Sequence, residues 1–189
     1  MKERLRQTVK RERNSLNQEE WEKKSLLIQD KLVHESYFAG SRCLLCYAHM
    51  DREVRTDLIL DTALKSGKIV CLPYVQWQEK ILLPSRIFSA EEIVSCGLVP
   101  GPAQLRFISP EKLDLVVVPG VVFDIYGNRI GQGGGFYDRF FRQRRKEILK
   151  VALAFSFQVQ KFPLPVDGDD VPVDVIITEE NIYQPAQKL

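Results

Sequence analysis

Five short apolar runs decide what this chain can fold into. They are Arg42–Ala48 (RCLLCYA), Lys68–Pro73 (KIVCLP), Leu113–Val118 (LDLVVV), Lys150–Phe155 (KVALAF) and Val173–Thr178 (VDVIIT). A strand with one wet face alternates apolar and polar residues. A run without alternation is buried on both faces, as in parallel sheets covered by helices. Segments of helical period lie between them: Thr56–Ser66, with Gly67 at its stop, and Gly135–Gln143. Ser89 opens a shorter helix with Glu92 at the capping-box position, and Ile81–Leu83 reads as a short strand. The first segment, Lys2 to Glu35, is predicted helical. Asn17 caps its main part with Glu20 three residues on, and Trp21, Ser25, Ile28 and Leu32 share one face. The order predicts βαβ units and a mostly parallel sheet with helices on both faces. In such sheets ligands bind beyond the carboxyl ends of the strands. The loops to watch follow Ala48, Pro73, Val118, Phe155 and Thr178.

Composition removes several alternatives. With 189 residues, 44% hydrophobic and 28% charged, the chain is neither disordered, collagenous nor a disulfide scaffold. It is long enough for one well-buried domain, taken here as residues 1–189. No apolar run approaches the roughly 20 residues of a membrane span. The N-terminal sequence has no apolar core of a signal peptide, and its interspersed acids argue against a transit peptide, so a reducing cytoplasm is expected. Cys43 and Cys46 match CxxC, yet neither a helix start nor a second ligand pair accompanies them. Together with Cys71 and Cys96 they read as buried free thiols. Against 25 acidic residues stand 27 basic ones, a net charge of +2, which does not suit a dedicated nucleic-acid binder. The basic run Lys2, Arg4, Arg6, Lys10, Arg11 and Arg13 therefore reads first as a solvated helix face.

The densest chemical signal is Pro119–Arg139, PGVVFDIYGNRIGQGGGFYDR, directly after a buried strand. Gly131, Gly133, Gly134 and Gly135 are four of the 11 glycines and run into a predicted helix. Glycines allow positive φ and close backbone approach, and a helix start offers free N–H groups to an anion. A phosphate site is the physical expectation, with a ligand-free turn as the alternative. The loop is neither of two named phosphate motifs. Phe136 stands where a Walker A loop needs Lys, and where GxGxxG needs its third glycine. Gly127-Asn128 is a separate turn signal. Asp138, one turn into the helix, can hold Mg²⁺ beside phosphates or simply satisfy the helix dipole.

Elsewhere, Glu53 and Arg55 lie in the loop after the first strand, where function is often carried. Asp167, Asp169, Asp170 and Asp174 precede the last strand, and Asp174 sits inside its apolar run, where an acid needs a cation or backbone donors. His34 and His49 suggest a helix end and a loop. Neither a Ser-His-Asp logic nor HExxH is present, which leaves nucleophilic triads and zinc hydrolysis without support.

Taken together, Pro119-Gly120, Phe123-Asp124, Gly127-Asn128-Arg129, Gly131, Gly133, Gly135 and Tyr137-Asp138 resemble the signature of the 5-formyltetrahydrofolate cyclo-ligase (5,10-methenyltetrahydrofolate synthetase) family. The basic N-terminal helix, Glu53-Val54 with Thr56, Leu72-Pro73, Ala152–Phe155, Val173-Asp174 and Thr178-Glu179 extend the resemblance along nearly the whole chain. It implies a three-layer α/β/α fold like that of ribose-phosphate isomerases and CoA transferases. It implies a monomer that acts on small molecules, without nucleic acid or membrane. The implied reaction is ATP- and Mg²⁺-dependent cyclisation of 5-formyltetrahydrofolate to 5,10-methenyltetrahydrofolate, releasing ADP and phosphate. By position, Lys2 and Arg6 resemble the family's N-terminal ATP ligands. The stretch from Arg129 through Ile130, Gly131, Gln132, Gly133, Gly134, Gly135 and Phe136 to Tyr137 resembles its ATP-phosphate loop, with Arg129 as the catalytic cation. Asp138 and Asp174 match metal-associated carboxylates. Glu53 matches a folate-binding acid, and Gln132 to Phe136 also border the folate. Departures fall at Arg55, Tyr74, Gln132, Phe136 and Asp169 and bear on substrate affinity.

Overall fold

The computed structural model describes residues 1–96, 98–143 and 147–185; of Cys96 only the backbone is included. The five apolar runs become β1 (Cys43–Cys46), β2 (Ile69–Gln76), β6 (Leu115–Val118), β9 (Leu149–Leu153) and β11 (Val175–Ile177). They are mutually parallel, in the order β11-β9-β6-β1-β2. Two antiparallel strands close the edges: β3 (Ile81–Ile87) against β2, and β12 (Ile182–Tyr183) against β11. The lack of alternation has the expected cause. Along β1, Leu44 and Cys46 enter one core while Cys43 and Leu45 enter the other. The same division holds for β6, with Leu115 and Val117 on one side and Val116 and Val118 on the other.

One face of the sheet is covered by α2 (Gln18–Val33), α3 (Ser36–Gly40) and α4 (Asp57–Lys65), through Ile28, Leu32, Phe38, Ile59 and Leu60. The other is covered by α5 (Phe136–Arg142) through Phe140, and by Phe123 of β7 (Val122–Asp124). The result is three layers, α/β/α. Burying each large aliphatic side chain contributes on the order of 1.5–3 kcal/mol. Asn17 caps α2 as the sequence indicates: its Oδ1 accepts from Glu20 N at 2.9 Å, and Glu20 Oε2 accepts from Asn17 N at 3.3 Å. The shorter basic helix ahead of that cap is α1 (Lys2–Ser15), as the sequence indicates. The short helix placed at Ser89 is a single 3-10 turn, Ala90–Glu92. The hairpin β4 (Ile93–Cys96)–β5 (Val99–Pro102) follows it and was not legible as strands.

A small second sheet carries the functional segment. β7 pairs antiparallel with β8 (Arg129–Ile130) and parallel with β10 (Val159–Gln160). The turn between β7 and β8 is built on Asp124, which is fully buried. Its Oδ1 accepts from the backbone N–H of Tyr126 and Asn128, both at 2.9 Å. Its Oδ2 accepts from Asn128 Nδ2 at 2.8 Å and from Leu164 N at 2.7 Å. Helix α1 docks here through Val9, which packs with Val121, Val122, Ile130 and Leu164. Cys43, Cys46 and Cys71 are buried free thiols, as expected, while the side chain of Cys96 lies outside the described residues.

Replacing Asp124 by Ala leaves three backbone donors and one amide donor without their acceptor. Each unpaired buried donor costs about 1–3 kcal/mol. We expect Asp124→Ala to lower stability by at least about 3 kcal/mol, or roughly 6–12 °C in Tm for a chain of this size. A thermal melt within about 2 °C of the parent would show that the carboxylate does not hold this turn.

Candidate active site

A cavity of about 300 Å³ opens at the carboxyl ends of β1, β2 and β6, where Ala48, Pro73, Pro119 and Gly120 line it. This is the size of a small-molecule site. Four of the five connections singled out by the sheet argument reach it, the one after Phe155 through Asp167 and Asp170; the one after Thr178 does not border it.

The glycine loop forms one wall. Gly133 and Gly135 have φ of +107° and +63°, values that L side chains rarely adopt, so glycine is required at both for backbone reasons. Among the described hydrogen bonds none uses the N–H groups of Gly133, Gly134 or Gly135, so these donors are available to a ligand. Helix α5 has only seven residues. The loop amides, more than a long helix dipole, therefore make this wall attractive to an anion. The loop is held from behind: Arg6 Nε donates to Gly131 O at 2.8 Å, and Arg139 donates to Gly134 O. Ile130 is buried in the small core and anchors the loop, although it also borders the cavity.

Cations gather on the same wall. The Arg129 side chain is 5% exposed and donates from Nη2 to Asp138 Oδ1 at 2.7 Å. Asp138 Oδ1 also accepts from Val171 N at 3.1 Å. The guanidinium lies over the Tyr137 ring at 5.9 Å, and both Arg129 Nε and the Tyr137 hydroxyl are buried without a partner. Unpaired buried donors facing a cavity mark where a ligand belongs. Burial pushes the Tyr137 phenol far up, so it stays protonated as a donor. Lys2 donates to Asp167 at 2.8 Å and to Asp170 at 2.6 Å. Burial alone would lower the Lys2 ammonium, but the two carboxylates outweigh it and raise it.

A second part of the lining is different in kind. Glu53 borders the cavity; its Oε2 accepts from Met50 N at 3.3 Å, and the Gln132 side-chain amide donates to the same carboxylate. Burial pushes its carboxyl above the usual range, partly offset by the charge of Arg13. Its backbone carbonyl is fixed by Trp21 Nε1 at 2.8 Å. Trp77 meets Phe136 edge-on at 5.1 Å and adds an apolar rim. The cavity thus joins a cationic, amide-rich end to an apolar slot closed by a buried acid.

The structure brings together Lys2, Arg6, Glu53, Arg129, Gln132, the glycines, Phe136, Tyr137 and Asp138. It does not bring Asp174 with them. Asp174 sits at the amino end of β11, where its Oδ2 accepts from Lys150 N at 2.7 Å and pairs with Lys150 Nζ at 2.8 Å. The acids beside Asp138 are instead Asp167 and Asp170. The metal role of Asp174 came from the family resemblance; the need of an acid in an apolar run for a cation or backbone donors is met here by Lys150, which supplies both, at the far end of the strand. Nor is α1 simply a solvated basic helix, since Lys2 and Arg6 face the cavity and Arg13 is buried. Of the departures, Gln132 and Phe136 border the cavity, whereas Arg55 pairs with Asp57 at 2.9 Å, Asp169 with Arg142, and Tyr74 packs on Phe107.

Comparison with known proteins gives a consistent result. A model of the 5-formyltetrahydrofolate cyclo-ligase family matches residues 1–179. The 5-formyltetrahydrofolate cyclo-ligase of Mus musculus is 31% identical over 188 residues, covering 94% of this chain and 93% of the mouse protein. That of Saccharomyces cerevisiae is 32% identical over 199 residues, covering 93% and 94%. The solved structure of Aquifex aeolicus 5,10-methenyltetrahydrofolate synthetase is similar with a TM-score of 0.85 at 33% identity, covering 100% of this chain and 94% of that one. A Mycoplasma pneumoniae synthetase shares the fold, with a TM-score of 0.78 at 23% identity over 94% and 98%.

The different placements of Asp138 and Asp174 have a measurable consequence. Removing one partner of a buried ion pair costs about 3–5 kcal/mol. Asp138→Asn leaves the Arg129 charge buried and is expected to fall near the lower end, about 3 kcal/mol, by urea unfolding. Asp174→Asn touches a pair with more solvent access, 18% and 26% exposed, and should lose about 1 kcal/mol. Equal losses in the two variants would contradict this ranking.

Proposed function

The chain belongs to the 5-formyltetrahydrofolate cyclo-ligase family, and from that premise we infer that it catalyses the ATP-dependent cyclisation of 5-formyltetrahydrofolate to 5,10-methenyltetrahydrofolate. The observation that carries the reading is one cavity lined both by the glycine loop with its cations and by a buried acid beside apolar side chains. The same proposal takes the enzyme as a cytoplasmic monomer acting on small molecules; among the described residues no helix is long and apolar enough to cross a membrane.

The chemistry explains why both ends are needed. A formamide does not close onto a second amine readily, because its oxygen would leave as hydroxide. Transfer of the ATP γ-phosphoryl group to the formyl oxygen breaks the bond to ADP and makes that oxygen part of a leaving phosphate. Nitrogen 10 then attacks the formyl carbon from within the same molecule, the new C–N bond forms, the C–O bond breaks, and the N10 proton is released. Intramolecular attack supplies a high effective molarity. Phosphoryl transfer asks mainly for positioning and charge stabilisation. The free loop amides, Lys2 and Arg6 hold the phosphates. Arg129, with its unpartnered Nε, faces the transferring group as the catalytic cation, and the Tyr137 hydroxyl donates beside it. Glu53 accepts from the pterin donors. No side-chain nucleophile is required.

Mg²⁺ fits this donor set. It binds through one or two carboxylates plus substrate phosphates, and no group of three or more metal-ligating side chains stands ready among the described residues. Asp138 with Asp170 would hold it, and bound there it neutralises charge on the phosphates.

The direct test is absorbance of methenyltetrahydrofolate from the purified protein with 5-formyltetrahydrofolate and MgATP. Product without ATP, or none with it, would overturn the reading. Two variants separate the ends. Gly133→Val is expected to fold but to lose detectable ATP binding, since the branched side chain cannot hold the loop at φ +107°. Glu53→Gln should weaken folate about 5- to 150-fold and leave ATP nearly unchanged, by calorimetry of each ligand alone. The raised Glu53 pKa fixes the pH sign. Folate affinity falls as pH drops through that pKa, beginning above the usual glutamate value near about 4.3, and this acid limb disappears in Glu53→Gln.

A further inference from the structure

Arg13 is a buried cation with no evident employment in phosphate binding. It projects from α1 at 4% exposure, two turns beyond Arg6, and does not border the 300 Å³ cavity. Its Nε is buried without a partner. It borders a very small cavity of about 10 Å³ with Tyr47, Gly120 and Gln158, and also an open groove with Lys10, Met50 and Gln132. Glu53 is the acid on that small cavity, and it also borders the substrate cavity. Glu53 is thus shared by the substrate cavity and the small cavity that Arg13 lines, and the charge of Arg13 favours its ionised form.

We propose that Arg13 is a positioning residue for substrate recognition: from α1 it holds the Glu53 carboxylate ionised and turned towards the folate side of the active site. A buried guanidinium without a counter-charge is costly, and so is a buried carboxylate. Each reduces the other's cost here, although the two do not form a direct ion pair. The cavity between them has the volume of about one water, through which Nε can donate. A pair kept apart in this way leaves the carboxylate's acceptor positions for a ligand, whereas a direct bidentate pair would consume them. The other groups facing Glu53 do not substitute for Arg13. Asp51 on its own loop opposes ionisation, Tyr47 at the end of β1 and Tyr137 of α5 are neutral phenols, and Gln132 of the glycine loop offers an amide. Among these groups Arg13 is the one cation. Because Lys2 and Arg6 lie on the same helix, α1 then serves both substrates, the nucleotide through its first turns and the folate through its last.

The inference rests on the folate-side role proposed for Glu53, and the test separates the two. Folate affinity is measured by calorimetry across pH, without ATP, for the parent, Arg13→Gln, Arg13→Met, Arg13→Lys and Glu53→Gln. Arg13→Met keeps the buried stem without the charge, so that a folded neutral variant is read even if Arg13→Gln does not fold. In the neutral variants the acid limb should move up by about one pH unit, the smallest shift usual for loss of a neighbouring opposite charge. At the midpoint of the parent limb, folate affinity then falls about fivefold. Arg13→Lys should return the limb towards the parent, and ATP affinity should stay within about twofold throughout, since RT ln 2 is near 0.4 kcal/mol. An unmoved limb, or ATP weakened as much as folate because α1 has undocked, overturns the positioning role. If Glu53→Gln itself keeps full folate affinity and the acid limb, it is the role of Glu53 that fails.

Discussion

The site depends first on a carboxylate that touches no substrate. Asp124, itself fully buried, gathers four donors, two backbone N–H groups and an amide of its own hairpin and one N–H from Leu164. That gathering fixes where β7 ends and β8 begins. Arg129 is the first residue of β8, so the turn sets the direction of the guanidinium, and Asp138 then receives it. The glycine loop is strung between these two residues. Its backbone is permissive by composition, and its precision comes from rigid supports at either end, as a preorganised electrostatic site requires.

A second dependence runs through α1. The helix is anchored by Val9 to the small sheet's core and delivers three cations at different depths: Lys2 to Asp167 and Asp170, Arg6 to the carbonyl of Gly131, and Arg13 to the small cavity that Glu53 also lines. None of these groups is on the seven-stranded sheet. The sheet supplies the floor and the strand ends, while the specific chemistry comes from elements packed onto it, the usual division of labour in open α/β sheets.

The sheet was readable from the chain because two-sided burial leaves a mark that needs no partner to be known: runs without alternation. Asn17 with Glu20 was readable because a capping box is local. The glycine loop was readable from composition and from its place after a buried strand, and its family character from the order of its residues. What was not readable depends on pairs distant in sequence. Asp170 and Asp174 look alike in a one-dimensional view, yet one meets Lys2 and the other Lys150, at opposite ends of parallel strands. Arg13 looked like one more solvated charge, because only the docking of α1 shows that its face is covered. The β4–β5 hairpin lacks the alternation of a two-faced strand and the apolar density of a buried one.

The thiols of Cys43, Cys46 and Cys71 lie on the adjacent parallel strands β1 and β2 and are buried in the folded chain. Burial raises the Cys46 thiol, and a hydrogen bond with Cys43 together with burial raises that of Cys71, so even the small thiolate fraction that alkylating reagents need is suppressed there. Labelling at these sulfurs therefore has to wait for the parallel strands to part. The molecule carries its own clock for the opening of its sheet: the rate at which these two positions acquire mass in a thiol reagent reads the motion of the scaffold, separately from whatever the ligand-bearing loops are doing.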